Sequence, residues 1–263
     1  MRVFSLLVGL LIIGSVFAHE YILIASKYKV NKGDTLEVHL FVADGFNIEL
    51  ERPLQKGIRQ KFELITASSK TDLLAAGKEG DLPILNAPVD FEGLGLLHME
   101  RDYSRISLES AKFKDYLKED HIENITIDES KKLQRERYTR YIKALVQSGK
   151  PNAGDQTFKA VTGQAYEIVL LDNPYLLKTG STIRAQLLFN GKPLVGKMVT
   201  ARNRSGGEAA SKQLSRTDNH GICRFVINRK GDWFLHSTHM IACPDKADAD
   251  WESFWTSYSF GVE

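Results

Sequence analysis

The sequence predicts a mainly β protein: two antiparallel β-sandwich domains, immunoglobulin-like or transthyretin-like, with a helical insert between them. Three observations carry that expectation. Short segments of alternating apolar and polar residues recur through 19–108 and 160–263, bounded by turns rich in Gly, Asn and Asp. Between them, 109–150 carries apolar residues near helical spacing among many charges. The composition, 43% hydrophobic and 26% charged over 263 residues, suffices for two modest cores.

The chain begins with Arg2, an apolar run over 3–13, and then Val16-Phe17-Ala18-His19. Val16 and Ala18 stand at the third and first positions before a signal-peptidase cut, so 1–18 reads as a signal peptide cleaved between Ala18 and His19. That places the protein in the periplasm or outside the cell. No second apolar run is long enough to cross a bilayer as a helix.

In the first domain, 21–25 and 35–43 read as strands joined by a turn at Asn31-Lys32-Gly33-Asp34. Leu36, Val38, Leu40 and Val42 share one face of the second strand, and Thr35, Glu37 and His39 the other. Strands are also expected over 60–66, 95–99 (with His98) and 103–108. In the insert, 109–119 suits a short amphipathic helix. A longer one is expected over 128–148, capped by Asp128, with Leu133, Tyr138, Tyr141, Ile142 and Leu145 near helical spacing and Gly149 and Pro151 as its stop. Lys131, Lys132, Arg135, Arg137, Arg140 and Lys143 then form a solvated basic face. The second domain takes strands over 166–171, 181–189, 197–202, 222–227, 233–241 and 253–262, with Asn190-Gly191 as a hairpin turn.

Charge and motifs narrow the chemistry. The formal charge of +2 gives no electrostatic case for nucleic acid or an anionic membrane. There is no Gly-x-Ser-x-Gly elbow, phosphate-cradling glycine loop or His-Glu-x-x-His helix, and no cysteine pair at zinc spacing, so no enzyme is indicated. A hairpin of 222–227 with 233–241 would set Cys223 opposite Ser237 and leave Cys243 beyond it, which gives a disulfide little support. Asp245, Asp248, Asp250 and Glu252 form an acidic loop without the glycine and spacing of an EF-hand.

The histidines remain. Once cut free, His19 would offer an α-amine and an imidazole Nδ1, which together chelate one metal ion. His236 and His239 are three apart in an expected strand, so they point to opposite faces and cannot share an ion without a bulge. His121 and His220 fall in a polar linker and a turn, and read as exposed.

The stretches His19-Glu20-Tyr21, Arg137-Tyr138-Thr139-Arg140-Tyr141-Ile142-Lys143-Ala144-Leu145, Thr217-Asp218-Asn219-His220-Gly221, His239-Met240 and Asp248-Ala249-Asp250-Trp251-Glu252-Ser253-Phe254-Trp255 resemble the NikM-like family of exported proteins. That family is associated with periplasmic nickel or cobalt uptake. The resemblance implies a non-catalytic binding protein for nickel or cobalt, accessory to uptake, with a membrane metal permease as partner. It implies His19 and His239 as ligands, because both stand in matching stretches. His98, His39 and His236 are further candidates that no matching motif secures. Nitrogen ligands also suit copper or zinc. The competing expectation is a metal-free interaction or carbohydrate-binding module that uses Trp233, Trp251 and Trp255 as a stacking surface. A copper histidine brace would need a second histidine close to His19.

Overall fold

The computed structural model describes residues 19–58, 60–206 and 208–263; the expected signal peptide, Ala18 included, lies outside the described residues. In chain order the elements are β1 (Glu20–Ala25), β2 (Lys29–Val30), β3 (Thr35–Asp44), β4 (Asn47–Arg52), β5 (Gln60–Ile65), β6 (Lys70–Asp72), α1 (Leu73–Ala76), β7 (Leu85–Pro88), β8 (Gly93–Glu109), α2 (Ser110–Glu119) and β9 (Leu133–Ser148). Then follow β10 (Tyr166–Leu170), β11 (Thr182–Phe189), β12 (Lys192–Pro193), β13 (Met198–Arg204), β14 (Ser211–Arg216), β15 (Ile222–Val226), β16 (Gly231–Ala242) and β17 (Trp251–Val262). The protein is mainly β.

Three sheets form. The largest runs β14-β13-β16-β17-β9-β8-β5-β6, with β2 also paired to β9. Its halves meet where β17 pairs parallel with β9, from Trp251 opposite Glu136 to Ser259 opposite Ala144. A sheet of β1, β3, β4 and β7 covers one face, and a sheet of β10, β11, β12 and β15 covers the other. The central strands are therefore buried on both sides. On β9, Ile142, Ala144 and Val146 pack with Leu23, Leu40 and Phe62, while Tyr141 and Leu145 pack with Tyr166, Leu187 and Phe254. Strands clothed on both faces read as near-continuous apolar runs rather than as alternation.

That double burial corrects the expected helix over 128–148. The segment is β9, paired antiparallel to β8 and parallel to β17. The region 109–150 thus holds a single helix, α2. The row of bases is not a solvated helical face either. Arg140 is buried and stacks on the Tyr21 and Tyr138 rings at 3.9 and 4.4 Å. Lys143, 1% exposed, donates to Glu167 on β10, and burial lowers its pKa to about 8. Arg137 bonds Asp248 and Glu252 at 3.1 and 2.8 Å, and Arg135 and Lys131 pair with Asp250, so three of the loop's four carboxylates are taken up by ion pairs.

Two smaller expectations also change. The strands expected at 95–99 and 103–108 are one strand, β8, with a register shift between Arg101 and Ser104. β15 and β16 do not form a hairpin, because β15 pairs with β11 and β16 with β13 and β17. Cys223 and Cys243 are both free and buried, and burial pushes the Cys223 thiol up to about 12. Among the described residues, no helix is long and apolar enough to cross a membrane.

Candidate functional site

Strand β16 positions two histidines. It pairs with β17 in unbroken register from Gly231 to Ala242, so alternation holds and His236 and His239 face opposite ways. On one side Phe234 packs with Ile22, Ile24, Ala43 and Phe46. Glu20 lies on the same side of β1 as Ile22 and Ile24, which brings its carboxylate to His236, two residues along from Phe234. The His236 Nε2 to Glu20 Oε1 distance is 3.4 Å.

The other wall comes from α2. Phe113 and Tyr116 anchor that helix against Met240 and Trp255, and its C-terminal end delivers Asp120, whose Oδ1 lies 3.5 Å from the same Nε2. A carboxylate at a helix C-terminus meets the negative end of the helix dipole, so this corner favours a cation. Burial raises the Asp120 pKa, partly countered by His236. Burial opposes the His236 imidazolium, yet Glu20 and Asp120 outweigh it and the His236 pKa is raised.

The resulting cleft, about 340 Å³, is also lined by His19, Asp44, Thr200, Arg202 and Lys212. His19 Nδ1 stands 3.2 Å from Glu49 Oε1 on β4. Gly45 closes the β3–β4 turn at φ +63° and gives its N–H to Glu20 Oε2 at 2.7 Å. A Cβ there would sit 3.2 Å from the Arg202 guanidinium, so the positive φ and the close approach both call for glycine.

The remaining expected ligands lie elsewhere. His239 rests in an aromatic box with ring centroids 4.6 Å from Phe189, 5.9 Å from Tyr166 and 6.4 Å from Phe254. Burial, reinforced by Lys197, lowers its pKa to about 4. His98 is fully buried on β8, with Nε2 at 2.6 Å from Glu63 Oε2, and burial takes it to about 4 as well. His39 lies at 2.6 Å from Glu51 and 3.0 Å from Glu37; burial opposes its charge, but the carboxylates raise its pKa. Of the five, the structure brings only His19 and His236 to one cleft.

Sequence reasoning missed Glu20 and Asp120. Glu20 is the second residue after the expected cut, next to His19, a signal that was present. Asp120 ends an amphipathic helix whose docking partner no local pattern names. Trp233 and Trp255 are buried and Trp251 stacks on Phe113, so the three tryptophans form no exposed stacking surface.

Among the described residues, no three His, Cys, Asp or Glu side chains stand as a ready metal-ligand shell. Glu20 and Asp120 both approach His236 Nε2, at 3.4 and 3.5 Å, and a metal would have to displace the proton on that nitrogen. The donor types fit: an imidazole, two carboxylates at the negative end of a helix, and His19 at the rim.

This defines a mainly β protein with a histidine- and carboxylate-lined cleft. Residues 16–241 match the family described as "Domain of unknown function (DUF4198)", and the chain belongs to that family. No curated protein matches the sequence. Similar solved structures include the D0-D1 domain of intimin, at 12% identity over 91% of this chain and 97% of that one, TM-score 0.21. Others are a Parabacteroides merdae beta-glucuronidase (12% identity, 84% of this chain, 23% of that one, TM-score 0.20) and a marsupial T cell receptor (7%, 91%, 73%, TM-score 0.22). At these scores the alignments carry no argument, and the architecture rests on the strand pairing.

Proposed function

We propose that the protein is an exported, non-catalytic binder of a divalent transition-metal ion, with nickel or cobalt as cargo, as in the NikM-like proteins it resembles. The observation that supports this reading is the placement of His236 against Glu20 and Asp120 in the cleft that His19 lines. Cleavage after Ala18 would release the His19 α-amine and add a chelating pair to those three side chains. His236, and not His239, is the second imidazole in this reading, because His239 faces the opposite side of β16. A mixed nitrogen and oxygen set binds copper more strongly than nickel or cobalt by intrinsic preference, so supply in the compartment would select the cargo. A membrane permease is the proposed recipient.

Calorimetry with Ni(II) tests the proposal on residues 19–263 with a free His19 amine, beside the same chain carrying one residue before His19 and beside His236→Ala. Each change is expected to weaken binding by about tenfold or more, or about 1.4 kcal/mol. Affinity should also fall with pH, since the metal competes with the proton His236 holds. Equal affinity for all three chains sinks the reading.

A further inference from the structure

A second cleft, about 220 Å³, lies beyond the C-terminal end of α2 and is lined by His121, Glu123, Asn124, residues 194–197, Arg216 and His239. Its central feature is Lys197. The side chain is 7% exposed, and among the described residues its Nζ has no hydrogen-bond partner. The backbone on either side is well held: Lys197 N donates to Thr217 Oγ1 at 2.8 Å, and Thr217 N to Lys197 O at 2.9 Å.

The other buried lysine shows what is missing. Lys143 spends its ammonium on the Glu167 carboxylate and the Ile168 carbonyl at 3.0 Å. Lys197 has no counterpart to either. A buried ammonium without a hydrogen-bond partner is costly: burial lowers the Lys197 pKa to about 8, although the Asp120 and Glu123 charges pull the other way. The one carboxylate lining the cleft, Glu123, is already engaged by Arg216 at 2.8 and 2.9 Å. Arg216 also bonds Gly196 O at 2.7 Å, which fixes the guanidinium beside Lys197. Two more nitrogens in the cleft, His121 Nε2 and His239 Nδ1, are buried without partners among the described residues. The unmatched groups are thus an ammonium and two imidazole nitrogens able to donate, with the only lining carboxylate spent.

We propose that this cleft binds a small oxyanion, a carboxylate or a phosphate, with the Lys197 ammonium as its principal partner. An oxyanion supplies the charge-assisted acceptor that Lys197 lacks and accepts from the imidazole N–H groups beside it. A cation is disfavoured here, because the ammonium would face it across a partly dehydrated cleft. No residue lines both this cleft and the His19 cleft, although Asp120 of that cleft also favours the Lys197 ammonium, so the test is made on metal-free protein.

The test is calorimetry on metal-free residues 19–263 in a zwitterionic buffer at fixed ionic strength, with inorganic phosphate in one arm and acetate in the other. One saturable site is expected in at least one arm, and the tighter arm identifies the source of the oxyanion. Lys197→Met should weaken that binding by about tenfold or more, the scale of one lost charge-assisted hydrogen bond. Urea unfolding of Lys197→Met is expected to show a fold at least as stable as the parent, since an unpaired buried charge is removed. Absence of saturable binding in both arms overturns the proposal. So does binding by a folded Lys197→Met equal to that of the parent, and so does Zn(II) binding that is lost on replacing His121 and His239 but kept in Lys197→Met.

Discussion

His236 and His239 are the same residue type on one strand, three positions apart, and they live in opposite chemistries. His236 faces Glu20 and Asp120, which hold its proton against the cost of burial. His239 faces Phe189, Tyr166 and Phe254, with Lys197 near, and burial strips its proton until about pH 4. The lesson is that a histidine's role is written by the elements its face meets. β1 and α2 meet one face of β16, and the sheet of β10 and β11 meets the other. A ligand assignment from sequence spacing alone could not separate the two.

The largest expected effect comes from breaking the aromatic side. Phe254→Ala removes a buried ring that packs at 5.0 Å against Phe189, and should cost about 3–5 kcal/mol in urea unfolding. In the same variant the His239 imidazole, followed by NMR titration, should move upward from about 4 towards 6.5 as water enters the box. An unmoved titration would show that burial by the rings is not the cause.

Breaking the carboxylate side should cost less. His236→Phe leaves Glu20 and Asp120 without their imidazolium, a loss of about 1–3 kcal/mol in chelator-treated protein near pH 6. The sign follows from linkage. The folded His236 pKa lies above its ordinary value of 6.5, so the folded state binds more protons and the stabilisation is fully present below 6.5. It fades as pH rises through the folded pKa. The gap between parent and variant should therefore narrow with rising pH; a gap that widens contradicts the pairing.

The smallest effect sharpens the comparison within one face. Thr238 stands two residues along from His236, 1% exposed, and among the described residues its Oγ1 has no partner. Thr238→Val should change stability by less than about 1 kcal/mol, in either direction, because no hydrogen bond is lost. A large loss would mean that the polar character of this face, and not the His236 cluster alone, is required.

Much of the β pattern was legible because alternation is a local property. β3 keeps Leu36, Val38 and Leu40 buried on one face, and Asn190-Gly191 turns with φ values of 51° and 73°, as expected of that dipeptide in a hairpin. β9 was not legible. Tyr141, Lys143 and Leu145 face one covering sheet while Ile142, Ala144 and Val146 face the other, so the period of two is hidden and helical spacing appears by accident. Lys143 and Arg140 looked solvated because Glu167 and Tyr21 meet them only through sheet packing.

The sequence by itself determined that this is a mainly β chain, that His236 and His239 point apart, and that His19 follows an expected cleavage site. Those rest on periodicity and on short local signals. Only the tertiary structure decided which face of β16 meets Glu20 and Asp120, because those residues arrive from β1 and α2, far away in the chain. Burial then sets each charge, and burial is a property of neighbours that no single segment carries. Packing accordingly brings His236, and not His239, to the cleft that His19 lines.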